Sequence, residues 1–245
     1  MGAAGERVAL NVVMLGPPGA GKGTQAERFA REYGIPRIST GDILREAIQS
    51  GSDMGQAVKA VMDRGELVSD DLITGIVRER LARPDAAGGF VLDGFPRTVP
   101  QARALDGLLA GRDTLIVIEM QVPDEELVRR VQGRRVCKSC GTNVSAFGGD
   151  GATIGRCQKC GGELVTRSDD NTNVVRERLK IYWRDTRPVI DYYNGRPTFR
   201  AIDGAQSPEQ VRQMLVTTIT GLAASAGVVV PPAGPAPTAR PGARA

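Results

Sequence analysis

The chain contains no histidine among its 245 residues, which removes imidazole acid–base catalysis and every histidine-containing metal site. Aromatic residues are scarce, at 4% against 41% hydrophobic residues overall, so any core must be aliphatic. No run approaches the roughly 18 apolar residues that a membrane span requires. The first seven residues are too few and too polar for a signal peptide, and Glu6 stands where a myristoylation signal needs Ser or Thr. The chain therefore reads as cytoplasmic, with no membrane partner. Strong charge is also lacking: 32 basic residues against 28 acidic ones leave +4, with Arg240 and Arg244 in the C-terminal tail. A pI near 9.0 suits an enzyme with anionic substrates as well as a weak nucleic-acid binder. The length allows one α/β domain with insertions, or two small domains.

Residues 16–24, Gly-Pro-Pro-Gly-Ala-Gly-Lys-Gly-Thr, follow an apolar run at 8–15 and open a helix-like run at 24–33. Strand, glycine loop and helix in that order make a phosphate cradle. The glycines let backbone N–H groups turn onto an anion, Lys22 adds a point charge, and the helix N-terminus adds a partial positive one. The alternative, a Gly-rich turn that merely closes a strand, does not account for the lysine. One departure stands out: the general pattern places Ser or Thr directly after the lysine, and here Gly23 holds that position with Thr24 following. The loop predicts binding of a nucleoside polyphosphate.

Further strand candidates lie at 90–92, leading into Asp93, at 114–120 and at 198–202, with periodic segments at 72–81 and 123–131 between them. Strands alternating with helices predict a parallel sheet covered on both faces. Residues 137–170, rich in Gly, Cys and small polar side chains, break this rhythm as an inserted miniature domain. A long helical pattern at 172–194 should be kinked or interrupted near Pro188. A last helix should start at Ser207-Pro208-Glu209, with Ser as the cap. Residues 224–245 read as an Ala/Pro/Gly-rich disordered tail, and 231–245 in particular carry too little large apolar side chain to offset their ordering entropy.

Cys137-x2-Cys140 and Cys157-x2-Cys160 are two knuckles separated by sixteen residues, each followed by a glycine. This spacing suits a tetrahedral four-thiolate zinc site. Disulfides are the rival, disfavoured where thiols stay reduced, and iron fits the same ligands. With all four positions filled by protein, a metal here would hold shape and catalyse nothing.

Several arginine-bearing strings remain: 36–45 with Thr40 and Arg45, 92–97 (Leu-Asp-Gly-Phe-Pro-Arg) with Gln101 beyond, 133–136, 167–170, and the pair Arg176 and Arg178. Single surface arginines usually serve solvation, but with a phosphate loop they look like a clamp. The combination resembles adenylate kinase, in the long bacterial form with a zinc-bearing lid. The resemblance runs from about residue 8 to 222. It rests on Lys22-Gly23-Thr24, on the Asp-Gly-Phe-Pro-Arg string of nucleoside monophosphate kinases, and on cysteine knuckles standing where that family's lid belongs.

The resemblance implies a five-stranded parallel sheet flanked by helices, with a kinase core at 8–223 after a short extension at 1–7. A monophosphate-binding insert would span 39–68 and the lid 133–170. It implies reversible transfer of the terminal phosphoryl group of Mg·ATP to AMP, giving two ADP, in adenine nucleotide homeostasis and AMP salvage, by a monomer without a nucleic-acid partner. Catalytic residues would be Lys22, Asp93, Arg97, Arg134, Arg167 and Arg178, with Asp93 organising Mg²⁺ through waters; its alternative is a turn or cap aspartate. ATP would be held by Gly19, Ala20, Gly21, Lys22, Gly23 and Thr24 of the loop, by Arg130 and Arg134, and by Asn143, Val144 and Gln206 around the adenine. AMP would be held by Thr40, Arg45, Glu66, Leu67, Val68, Gly94, Phe95, Pro96, Arg97 and Gln101, with Arg167 and Arg178 closing over both. Asp169 and Asp170 would orient arginines at the lid hinge, and the metal ligands would be Cys137, Cys140, Cys157 and Cys160.

Three rivals stay open. One is a kinase of UMP, CMP or GMP, against which stand Thr40, the cysteine lid and Gln101; GTP as phosphoryl donor belongs with it. A second is a nucleic-acid-binding zinc ribbon joined to a nucleotide-binding domain, whose ribbon lacks the interleaved aromatic and basic residues of a stacking surface, Phe147 being its lone aromatic. The third is an inactive scaffold, although no expected catalytic residue is missing.

Overall fold

A computed structural model describes residues 9–110, 114–145, 155–228, 230, 231 and 234. The N-terminal extension, Phe147 and the tail beyond 234 lie outside the described residues. Strand β1 (Leu10–Leu15) is buried at every position, as a central parallel strand must be when helices cover both faces. Its alternate side chains divide between two cores: Leu10, Val12 and Met14 face one, Val13 and Leu15 the other. Each such burial is worth roughly 1.5–3 kcal/mol before entropy is counted.

The main sheet has five strands in the order β2-β3-β1-β4-β8, with β2 Arg37–Ser39, β3 Gly89–Asp93, β4 Leu115–Gln121 and β8 Phe199–Asp203. Every pairing is parallel. Helices α1 (Lys22–Tyr33) and α9 (Pro208–Ser225) carry the first core with α6 (Asp124–Gln132) and α7 (Thr172–Ile181). Helices α2 (Thr40–Gln49), α3 (Asp53–Asp63), α4 (Asp70–Leu81), α5 (Val99–Leu108) and α8 (Arg187–Tyr193) carry the second. The segment expected to bind a monophosphate contains α2 and α3. The cysteine segment forms a separate antiparallel sheet, β6-β5-β7, from Asn143–Ser145, Arg134–Cys137 and Leu164–Val165.

Two boundaries are sharper than the sequence pattern. The interruption expected near Pro188 is a widened π-turn over Tyr182–Thr186, in which the Arg187 N–H reaches back to the Tyr182 carbonyl. Proline has no N–H to continue the ordinary ladder, so the helix loosens just before it. At the other end, α9 runs through Ser225, Val228 is 4% exposed, and the Gly234 N–H bonds to the Glu32 carbonyl at 2.9 Å. Ordered structure therefore continues past position 223, because Val228 and Val230 still find apolar partners beside α1 and α9. Ser207 and Gln210 form a reciprocal capping box at the start of α9.

Candidate active site

The C-terminal edge of a parallel sheet is where loops from adjacent strands converge. Here β1 delivers the loop at 16–21, β2 runs directly into α2, and β3 ends at Asp93. Helices α2, α3, α4 and α6 carry acidic residues in their first turns, as the helix dipole favours. Helix α1 has neither an acidic residue there nor a side-chain cap at Gly21. Its first amides are left for an anion. The loop lies tight on α6: a Cβ at Gly19, whose φ is +90°, would stand 2.8 Å from Val131 Cγ2 and 2.9 Å from the Leu127 carbonyl oxygen. Only glycine fits that approach.

Lys22 is folded back on its own loop, its Nζ donating to the carbonyls of Gly16 at 2.6 Å and Pro17 at 2.8 Å. Burial lowers its pKa to about 7; Asp93 opposes that shift, while Arg97, Arg178 and Arg134 reinforce it. An ammonium so destabilised is prepared to gain from an incoming anion.

The arginines expected to grip phosphates are brought together. Arg97 Nε donates to the Gly94 carbonyl at 2.8 Å, and burial together with Arg178 lowers its pKa to about 10. Arg167 falls to about 10 through burial, then Arg45 and Arg134, and its buried Nε has no partner among the described residues. Arg178 is lowered by burial against the pull of Asp169. Asp169 accepts from Arg178 Nη1 at 2.8 Å, while Asp170 accepts from both nitrogens of the Arg134 fork and from Arg178. Both aspartates thus bond to the arginines that the sequence reading sets beside them.

Thr40, Arg45, Glu66, Leu67, Val68, Gly94, Arg97, Gln101 and Arg178 line one cavity together with Asp169. Gly94 allows that convergence: with φ at +85°, a Cβ there would lie 2.8 Å from Thr40 Oγ1 and 3.1 Å from Arg97 Nη2. Phe95 and Pro96 do not line it; both are buried, and Phe95, at 0% exposure, packs in the second core. An apolar ring at the end of a buried strand gains more from the core than from a polar cleft. Gln101 is anchored at both ends of its amide, accepting from the Arg97 N–H at 2.7 Å and donating to Asp70 Oδ1 at 2.6 Å. Its second N–H and second lone pair stay available to a base.

Arg130 extends from α6 to the loop after β8, donating to the Gly204 carbonyl at 2.7 Å and to the Ala205 carbonyl at 3.3 Å, next to Gln206, which bonds to Asp203. Asn143 accepts from Arg167, and Val144 pairs with Arg135 inside the small sheet. Three residues given no role in the sequence reading contact the candidate site residues: Arg37, Asp42 and Asp70. Arg37 and Asp42 sat in a string already marked, but nothing in it showed that Arg37 pairs with Asp93, 56 positions away.

The four cysteine sulfurs lie within 4.8 Å of one another, with Cys137 and Cys160 at 3.4 Å and Cys140 and Cys157 at 3.6 Å. Tetrahedral Zn–S bonds of about 2.3 Å place sulfurs about 3.8 Å apart, so the cage fits zinc.

A profile of the family described as adenylate kinase matches residues 14–197. The adenylate kinase of Archaeoglobus fulgidus is 48% identical over 204 residues, covering 82% of this chain and 94% of the relative. That of Lysinibacillus sphaericus shows the same identity and coverage. That of Geotalea daltonii is 45% identical over 214 residues, covering 86% of this chain and all of the relative.

Proposed function

The chain belongs to the adenylate kinase family, and from that premise we propose how its residues divide the family reaction, phosphoryl transfer between ATP and AMP. The carrying observation is the gathering of buried cations, Lys22, Arg97, Arg167 and Arg178, each destabilised first by burial and then by neighbouring arginines. Such crowding is unfavourable until anions arrive. The attacking group is a phosphate oxygen of AMP, already ionised at neutral pH, so no side chain must remove a proton. This suits a chain without histidine. The protein's task is alignment and charge neutralisation.

In this reading the α1 amides and Lys22 hold the β- and γ-phosphates of ATP, Lys22 trading the Gly16 and Pro17 carbonyls for phosphate oxygens. Arg45 and Arg97 hold the AMP phosphate. Arg134, Arg167 and Arg178, aimed by Asp169, Asp170 and Asn143, meet the phosphoryl group in flight. Arg130 and the 204–206 loop cover the adenine of ATP. Mg²⁺ carried with ATP would neutralise charge on the transferred group, and Asp93, which with Asp42 already holds one cation, Arg37, is the residue placed to receive it. The same reading takes the protein as a cytoplasmic monomer; among the described residues Trp183 is the one exposed large hydrophobic side chain, which leaves little surface for an obligate partner.

The test is ADP formation with AMP, UMP, CMP and GMP as acceptors and ATP or GTP as donor. Turnover confined to ATP with AMP is expected, and a preference for another acceptor would overturn the assignments of Thr40 and Gln101. For the lid, metal analysis should find about one zinc per chain. Stripping it should lower the melting temperature by several degrees, because the metal's binding energy is folding energy, and should change stability more than chemistry. Cysteines recovered as two disulfides without metal would restore the rival reading.

A further inference from the structure

Arg37 stands at the first position of β2 with its side chain only 17% exposed. One of its nitrogens, Nη2, lies 2.8 Å from Asp42 Oδ2 and 3.0 Å from Asp93 Oδ2, while Nη1 is 3.6 Å from Glu27. Asp42 is also the partner of Arg45. Two carboxylates that bond to the same nitrogen present converging oxygens, which without the guanidinium would repel one another or accept a hard cation. Burial opposes the charge on Arg37, but Asp93 and Asp42 raise its pKa further, so this cation is permanent.

The pair also abuts the phosphate loop. A Cβ at Gly23 would stand 3.1 Å from Asp93 Oδ2 and 3.3 Å from Arg37 Nη2. The position after the loop lysine, where the general pattern places a metal-binding hydroxyl, is thus bordered closely by the Arg37–Asp93 pair, which would have to give by a few tenths of an ångström to admit a side chain. Lys22, Arg97 and Arg134 also feel the charge of Asp93, with Asp170 offsetting Arg134. A free divalent ion would enter a field already positive, whereas one arriving with a polyphosphate brings its own compensation.

We propose that Arg37 is a positioning residue that occupies the cation seat between Asp42 and Asp93 in the nucleotide-free protein, so that a divalent metal enters only together with nucleotide phosphates. This rests on the reading of Asp93 as the metal-organising residue. Arg37 also links the two halves of the site: through Asp93 it borders the donor loop, and through Asp42 it borders Arg45 on the acceptor side. Filling the seat holds both carboxylates in place until the phosphates arrive.

The experiment titrates Mn²⁺, an oxygen-seeking paramagnetic probe, into the zinc-loaded full chain without nucleotide, following free Mn²⁺ by electron paramagnetic resonance. Wild type should bind it weakly. R37Q should bind it on the order of tenfold or more tightly, as expected when one fixed charge leaves a partly screened site. The R37Q/D93N double variant should lose that gain, whereas R37K, which retains a charge, should stay near wild type. A merely structural ion pair would change melting temperature without this pattern. The proposal is overturned if R37Q, folded by its melting curve, binds Mn²⁺ no better than wild type. It is equally overturned, whatever the variant does, if nucleotide-free wild type binds Mn²⁺ below about 0.1 mM, tighter than weak oxygen sites. The premise is tested separately: if D93N keeps the wild-type magnesium dependence of turnover, Asp93 holds no metal. If D93N loses it while R37Q gains no Mn²⁺, the role of Arg37 alone falls.

Discussion

Replacement of Lys22 by methionine is expected to lower kcat by about 10²–10³-fold, the scale seen when one preorganised charge donor is removed from a transition state. Methionine keeps much of the stem's packing, so the loss is electrostatic. A second signature follows from the pKa of about 7 that burial and the neighbouring arginines give Lys22. Polyphosphate beside the ammonium should restore its ordinary affinity for protons. Nucleotide binding above pH 7 should then take up a proton, approaching about one near pH 8.5 and vanishing below pH 6. Calorimetry of ATP binding in buffers of different ionisation enthalpy measures this directly. The sign for stability is opposite to that of a salt-bridged lysine. The folded pKa lies below the unfolded value of 10.5, so the unfolded chain holds more protons across that window, and nucleotide-free stability should rise as pH increases through it. K22M should lack both the proton uptake and this rise. Uptake that persists unchanged in K22M would show that another group titrates.

The phosphate loop was legible because its chemistry is local: strand, glycines, lysine and helix are contiguous, and contiguous residues fix the geometry. The cysteine cage was legible for the same reason, since each knuckle is a self-contained turn and only the pairing of knuckles is long-range. Arg37 was not. Its neighbours in sequence give no hint that β2 and β3 run side by side in register and bring Ser39 opposite Asp93, which lands the guanidinium on that carboxylate. Asp70 was hidden in the same way; in sequence it is an acidic first-turn residue of α4, and only packing against α5 turns it onto Gln101 and Thr98. Phe95 and Pro96 present the opposite case. They belong to a string that carries the family likeness, yet membership of a string says nothing about which way a side chain points, and the core claims the Phe95 ring. The end of the last helix has no mark in the sequence, because small residues such as Ala223 and Ala224 lack visible amphipathic period, although Ala223 is fully buried.

The second large effect should come from Asp170, whose side chain is 0% exposed and holds Arg134 and Arg178. Removing one partner of a buried ion pair leaves uncompensated charge, at a cost of about 3–5 kcal/mol. The lower end applies here, because Arg134 and Arg178 retain 20% and 16% exposure and can recruit water. For a chain of this size Asp170→Ala should lower the melting temperature by roughly 6–12 °C. Asp170→Asn should cost less, since the amide keeps the shape and one acceptor oxygen. Both should lose turnover, because Arg134 would no longer be aimed and Arg178 would fall back on Asp169 alone. Asp169 cannot substitute fully: burial alone would raise its pKa, but Arg178, Arg45, Arg134 and Arg167 hold it below the ordinary 3.8, so its existing stabilisation is complete above that value and is lost as pH falls below it. Thermal unfolding at pH 7 and initial rates with ATP and AMP test the two halves of the prediction together. An Asp170→Ala protein with wild-type melting and wild-type rate would mean that the arginines are held by the site's packing, and that the buried carboxylate neither supports the lid hinge nor aims the residues that close over the phosphoryl group.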